Sequence, residues 1–273
     1  MAICSVLGPT QFFSSPVSHT FSSSKHILNL KPSSLFFKPH SRNLSSPLST
    51  RIMASTQTIE HVVLLKVKEN TDPSNVNAMV NGLNGLSSLD PVLHLSAGPI
   101  LRYRSSSFNF THILHSRYNS KEDLNAYSQH PNHVGVAKEL VFPICEDIMA
   151  VDWVAENLDG QVSPTPGSAL QFTFLKLKEN VGEETQLGIL GVIKGIKDSF
   201  GQIHQLTCGE NFSPGRAKGF SIASVAVFPG VGELEAVDSN LELENFQKEK
   251  VREFLEGVIV VDYTVPLPQS SSL

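Results

Sequence analysis

The sequence predicts an α+β protein of two ferredoxin-like domains in tandem, packed sheet to sheet as a pseudo-dimer. Three observations lead there. First, the stretch IEHVVLLKVKEN at Ile59–Asn70 returns as ALQFTFLKLKEN at Ala169–Asn180, so that Leu65 becomes Leu175, 110 residues on. Second, the same offset carries His94 onto His204, Phe110 onto Phe220, and Val151-Asp152-Trp153 onto Val261-Asp262-Tyr263. Matches at one offset over so long a span indicate a duplicated domain, and a period of this length makes two small domains, not a solenoid. Third, each copy orders its signals as strand, helix, strand, strand, helix, strand, which is the ferredoxin-like arrangement.

The elements of the first copy follow in order. Ile59–Lys68 is aliphatic and β-branched and reads as a strand. Asp72 before Pro73 is a helix N-cap with proline at the first helical position. Val76, Met79, Val80, Leu83 and Leu86 then fall at helical spacing, and the second copy keeps most of that stripe as Ile189, Leu190, Ile193 and Ile196. Asp90-Pro91 ends the helix, because a residue before proline avoids helical geometry. Val92–Ser96 and Phe108–Tyr118 read as strands. Ser120 and Asp123 open a second helix, which Pro131 breaks or restarts, and Ile148–Val154 is the last strand. The expected divisions are a presequence at 1–52, a first domain at 58–155, a linker at 156–167, a second domain at 168–265 and a tail at 266–273. The linker carries prolines and glycines; fully extended, it would reach roughly 40 Å as a tether.

Such a sheet has helices on one face, and its other apolar face needs cover. A second copy supplies it. The enclosed interior is the natural ligand site, and His61, Val63 and Leu65 on one strand, with His112 and Leu114 on another, are expected to line it.

Composition is that of a globular chain, 40% hydrophobic and 17% charged. Residues 1–52 hold five basic residues and no acidic one, so the remainder is strongly acidic. Such a body repels phosphate, which argues against nucleic acid and anionic membranes as partners. Cys4, Cys145 and Cys208 have neither zinc nor disulfide spacing and fit a reducing compartment. The serine-rich, acid-free start has the composition of a transit peptide, here for a chloroplast. Ser271-Ser272-Leu273 resembles a peroxisomal tripeptide read by an import receptor, and a second start at Met53 would leave that address in charge. The peroxisome is the expected location, the chloroplast the alternative.

Six of the seven histidines beyond the presequence lie in the first copy: His61, His94, His112, His115, His130 and His133. His94 has a counterpart in the second copy, and His115 alternates away from His112; both are assigned to structure. His130 and His133 lack a nearby carboxylate or cysteine to complete a metal site. A His133–Tyr127 pair could serve as acid and base near neutral pH.

IEHVVLLKVKEN, the FTHI of Phe110–Ile113, the YSQHPNHV of Tyr127–Val134 and the terminal VDW resemble the plant stress-responsive A/B barrel (Dabb) family. The resemblance covers residues 58–155 and more weakly 168–265. It implies a dimeric α/β barrel of ferredoxin-like halves, leaving room for a homodimer, and a stress-response role without catalysis or with a small apolar ligand held in the barrel. The alternative it implies is a lyase resembling the family's polyketide cyclase, with His133 and Tyr127 catalytic and His61 and His112 in the pocket. It further implies a magnesium site at the backbone carbonyls of Leu86, Leu89 and Val92, although no cofactor is required. The second copy departs from the pattern: His61, His112, Tyr127, His130 and His133 become Gln171, Ile222, Val237, Asn240 and Leu243. That copy is expected to be a structural partner.

Overall fold

In the computed structural model the described residues are 57–105, 107–156, 158–240 and 251–267. Both address segments lie outside them. Both repeats fall in one compact unit, Ile52–Leu273. The first repeat runs β1 (Gln57–Val67), α1 (Pro73–Gly85), β2 (His94–Pro99), β3 (Arg102–Arg104), β4 (His112–Tyr118), α2 (Lys121–Gln129), α3 (Pro131–Val136) and β5 (Cys145–Glu156). The second runs β6 (Ala169–Leu177), α4 (Glu183–Ser199), β7 (Gln205–Glu210), β8 (Ile222–Phe228), α5 (Val231–Asp238) and β9 (Leu255–Thr264).

Local chemistry sets the helix starts. The Asp72 carboxylate accepts the Ser74 N–H at 2.7 Å, and Ser120 Oγ accepts the Asp123 N–H at 3.0 Å. These bonds satisfy backbone donors that have no partner inside the helix. Pro131 restarts the chain as α3, with the His130 ring at its cap, accepting the Asn132 N–H through Nδ1.

The two antiparallel sheets have orders β2-β4-β1-β5 and β3-β9-β6-β8-β7. Thus β3, from the first repeat, hydrogen-bonds as the edge strand of the second repeat's sheet, with Tyr103 opposite Val261. This strand carries no apolar alternation, and its partner lies far along the chain, so the expected 108–118 strand gives up its first residues and a new short strand appears before it. On the other side of the molecule β7 runs against β5, where the Phe212 N–H donates to the Asp152 carbonyl at 3.0 Å. The two sheets therefore close on each other at both edges. Val62, Leu64, Ile113, Val151 and Trp153 of one sheet meet Leu170, Phe172, Phe174, Val225 and Val261 of the other in a single buried core.

The linker is not a free tether. The Asp159 and Gln161 carbonyls accept from Gln205 Nε2 at 2.6 and 3.1 Å, and the Val162 carbonyl accepts from Arg117 Nη1 at 2.6 Å.

Candidate functional site

The alternation of β1 decides what meets what. Val62 and Leu64 point between the sheets, whereas Ile59 and Leu65 pack with Met79, Leu83 and Tyr127 beneath the helices. His61, Val63 and Leu65 therefore lie on the helix side, as does Leu114, and not in the space between the sheets. This corrects the expected lining. Both faces of β1 are apolar, so period two separates them without saying which is which.

His61 sits across from Ser116 on β4 and from Asp152 on β5. Its Nδ1–H donates to Asp152 Oδ1 at 2.5 Å. Its ring lies 6.4 Å from those of Tyr118 and Tyr127, centroid to centroid. Tyr127, fully buried, lies 4.6 Å from the ring of His133. The His133 Nδ1–H donates to the Ser128 carbonyl at 3.0 Å, which turns Nε2 into the acceptor. His61, Tyr127 and His133 thus form one cluster. His112 does not join it: it stands opposite Leu65, four residues further along the strand pair, roughly 13 Å from His61 at about 3.3 Å per residue. It is held by Thr111 Oγ1 at 2.9 Å.

Electrostatics gives the cluster a polarity. Burial pushes His133 below the usual imidazole range, so it is neutral at pH 7 and able to accept a proton. Burial pushes the Tyr127 hydroxyl well above its usual range, so it stays protonated and able to donate. Burial pushes Asp152 up as well, but His61, Ser213 and Arg216 outweigh it and hold the carboxylate below its usual range.

Two members of the cluster escaped sequence reasoning. Tyr118 binds Ser116 Oγ at 2.9 Å and adjoins Tyr127, with ring centroids 5.2 Å apart. Asp152 had a signal: an acid recurs inside an apolar strand in both copies, as Asp152 and Asp262.

The second repeat holds a cavity of about 590 Å³ between its sheet and α4. Val192, Ile193, Ile196, Leu206 and Phe228 give it aliphatic and aromatic walls, and Gln171, Asp238 and Arg104 stand at its polar end. Arg104 comes from the first repeat and donates to Asp262 at 3.0 Å. Where the first repeat has Tyr127 and Ser116, the second has the smaller Val237 and Ala226, both lining the cavity.

A model of the Dabb family, the stress responsive A/B barrel domain, matches residues 59–155 and again 171–265. The chain belongs to this family. It is 50% identical to one stress-response A/B barrel domain-containing protein of Arabidopsis thaliana, over 99% of this chain and 100% of that one. It is 51% identical to a second Arabidopsis protein of the same description, over 76% of this chain and 97% of that one. Among solved structures, a putative monooxygenase of Fusobacterium nucleatum superposes with a TM-score of 0.56 at 12% identity, over 79% of this chain and 94% of its own, which is agreement of fold.

The resemblance placed magnesium at three carbonyls of the first Dabb domain. The Leu86 carbonyl accepts the Leu89 N–H at 3.2 Å and the Leu89 carbonyl accepts the Val92 N–H at 2.9 Å. Both close the turn after α1, and among the described residues no cluster of histidine, cysteine and acidic side chains suits a metal. Magnesium favours carboxylates and water in octahedral array, so this donor set is a poor fit. Among the described residues no helix is long and apolar enough to cross a membrane.

Proposed function

We propose that this Dabb protein binds a small apolar molecule without turning it over, and that the second domain takes it. The cavity of about 590 Å³ carries this reading. Small-molecule sites are concave, mostly apolar and about 300–1,000 Å³ in volume, with a few polar groups that fix orientation. Here Gln171 and Asp238 are those groups, and the apolar walls select an uncharged body. The site holds no acid–base pair, since Val237 replaces the tyrosine. The probe is 1-naphthol, uncharged and apolar with one hydroxyl. It should shift the methyl resonances of Ile193 and Ile203, and Val237→Tyr should weaken binding by about tenfold or more through lost volume. Methyls of the second domain that stay unmoved at saturating naphthol would remove the reading.

A second reading is favoured by a separate observation, the neutral His133 beside the protonated Tyr127. On this reading His133 takes a proton from carbon next to a carbonyl of a small apolar substrate, and Tyr127 donates to the oxygen, as in an aldol-type cyclase or lyase. His133→Ala and Tyr127→Phe should each lower turnover of a β-keto substrate by about 10²–10⁴-fold. Unchanged turnover in both would leave binding alone.

A further inference from the structure

The first domain does not build its polar cluster unaided. We infer that the loop at 211–216 of the second domain is the positioning element of the first domain's site, holding the main chain of Asp152 so that its carboxylate meets His61. The inference rests on the second reading for its chemistry, but its geometry stands independently.

Consecutive residues of that loop converge on Asp152. The Asp152 N–H donates to Asn211 Oδ1 at 3.1 Å, and the Asp152 carbonyl accepts the Phe212 N–H at 3.0 Å. The Asp152 carboxylate itself engages His61 Nδ1. Asn211 is itself fixed, because its Oδ1 also accepts the Ser213 N–H at 3.0 Å and its Nδ2 donates to the Phe220 carbonyl at 3.2 Å. Phe212 packs into the first domain's helix-side core, with Lys121 Nζ 4.1 Å above its ring. Lys218 pins the far side of the loop to Asp147 at 2.6 Å. An ordinary domain contact spreads its polar bonds; this one engages both the N–H and the carbonyl of one residue. An orienting partner of this kind holds an imidazole in one tautomer and direction.

The charges around the site are few. His133 faces His61 from β1, His130 from the cap of α3 and Arg216 from the second domain, and Asp152 faces His61 and Arg216. Burial keeps the His133 imidazole neutral, with His61 and Arg216 acting in the same direction, and His61 is the main group favouring the Asp152 carboxylate. The second domain has Gln171, Ile222, Asn240 and Leu243 where the first has His61, His112, His130 and His133, and its loop serves the first domain's site. The first domain reciprocates at Asp262, where Arg102 Nε donates at 2.7 Å, but it meets glutamine there and no histidine.

The test is a pH titration of the histidine rings and the Asp152 carboxyl by NMR, on the full chain without substrate. Asn211→Ala should raise the Asp152 midpoint by at least about 0.3 unit, a twofold change in its proton equilibrium, because a carboxylate no longer held against His61 loses the partner that favours its charged form. Exposed, remote Lys178→Gln should leave it in place. An Asp152 midpoint that moves no further in Asn211→Ala than in Lys178→Gln overturns the inference. Because no turnover is measured, a protein without any reaction would still show these shifts, and failure of the cyclase reading stays separate.

Discussion

Gly98 and Gly209 set how closely the two sheets approach. They occupy matching places near the ends of β2 and β7, and each receives the aromatic residue from the other domain's last strand. A Cβ on Gly98 would meet Tyr263 Cε2 at 3.3 Å, and one on Gly209 would meet the Val154 carbonyl oxygen at 3.0 Å and Trp153 Cβ at 3.1 Å. A ring edge can give by a few tenths of an ångström, whereas a backbone carbonyl held in a sheet cannot. Gly209→Ala should therefore cost about 1–3 kcal/mol by overpacking, and Gly98→Ala less; urea unfolding of the two variants ranks them. His94 acts at the same scale through pH. Burial, aided by His115 and Arg117, pushes it down to about 2, so the folded chain keeps it neutral. The unfolded histidine takes a proton below about pH 6.5. More protons bind to the unfolded state there, and stability falls as pH falls from about 6.5 toward the folded value, by up to about 1.4 kcal/mol per unit for this one group. Urea midpoints between pH 7 and pH 4.5 should decline, and less steeply in His94→Asn.

Three strands share a charge cluster inside the interface. Glu60 on β1 accepts from His115 Nε2 at 2.7 Å and Arg117 Nε at 3.0 Å on β4, and from Thr207 Oγ1 at 2.9 Å on β7 of the other domain. Trp153 Nε1 donates to Thr207 in turn, at 3.2 Å. The side chains of Glu60, His115 and Arg117 have no exposed surface. Burial pushes Glu60 up, and Arg117 and His115 outweigh it, holding it ionised far below its ordinary range. At the matching positions the second domain has Leu170, Val225 and Val227. Glu60→Leu alone strands a buried arginine and should cost about 3–5 kcal/mol, whereas Glu60→Leu with His115→Val and Arg117→Val, which copies the second domain, should lie between neutral and about 4 kcal/mol more stable. Denaturant unfolding of the single and triple variants decides between these outcomes. This cluster also marks where sequence reasoning stopped. Helix starts were legible because Asp72, Pro73 and Ser120 act on bonds a few residues away. The face of β1 was not, because aliphatic residues alternate with His61 on one side and with Glu60 on the other, and only tertiary packing separates them. His115 was assigned to structure and does sit in the interface, but its partner Glu60 carried no local sign of the role. The short strand β3 was invisible for the same reason: Arg102 and Arg104 find their carboxylates, Asp238 and Asp262, far along the chain.

At the scale of the molecule the duplication was the strongest signal, since an offset shared by distant motifs does not depend on packing. What it could not show was division of labour. The copies diverged in opposite directions: one kept histidines and tyrosines beneath its helices, and the other exchanged them for smaller residues around an open volume. A loss of function in one domain should then leave the other's measurable property intact. Val237→Tyr should weaken naphthol binding by about tenfold or more while leaving the His133 titration in place, and His133→Ala should remove that titration while leaving naphthol binding in place; fluorescence titration and NMR on the two variants check it.

The Val162 carbonyl, which accepts from Arg117, belongs to neither domain. Two separate chains of these same domains would have no such oxygen, and a buried guanidinium would keep one N–H unmatched, at about 1–3 kcal/mol. The covalent join is thus a component of the charge balance inside the interface, as much as it is a leash. A molecule cut by protease within 157–161 retains every domain residue, yet it can release that carbonyl. It should unfold at lower urea than the intact chain and with a midpoint that depends on protein concentration, as a complex does and a single chain does not.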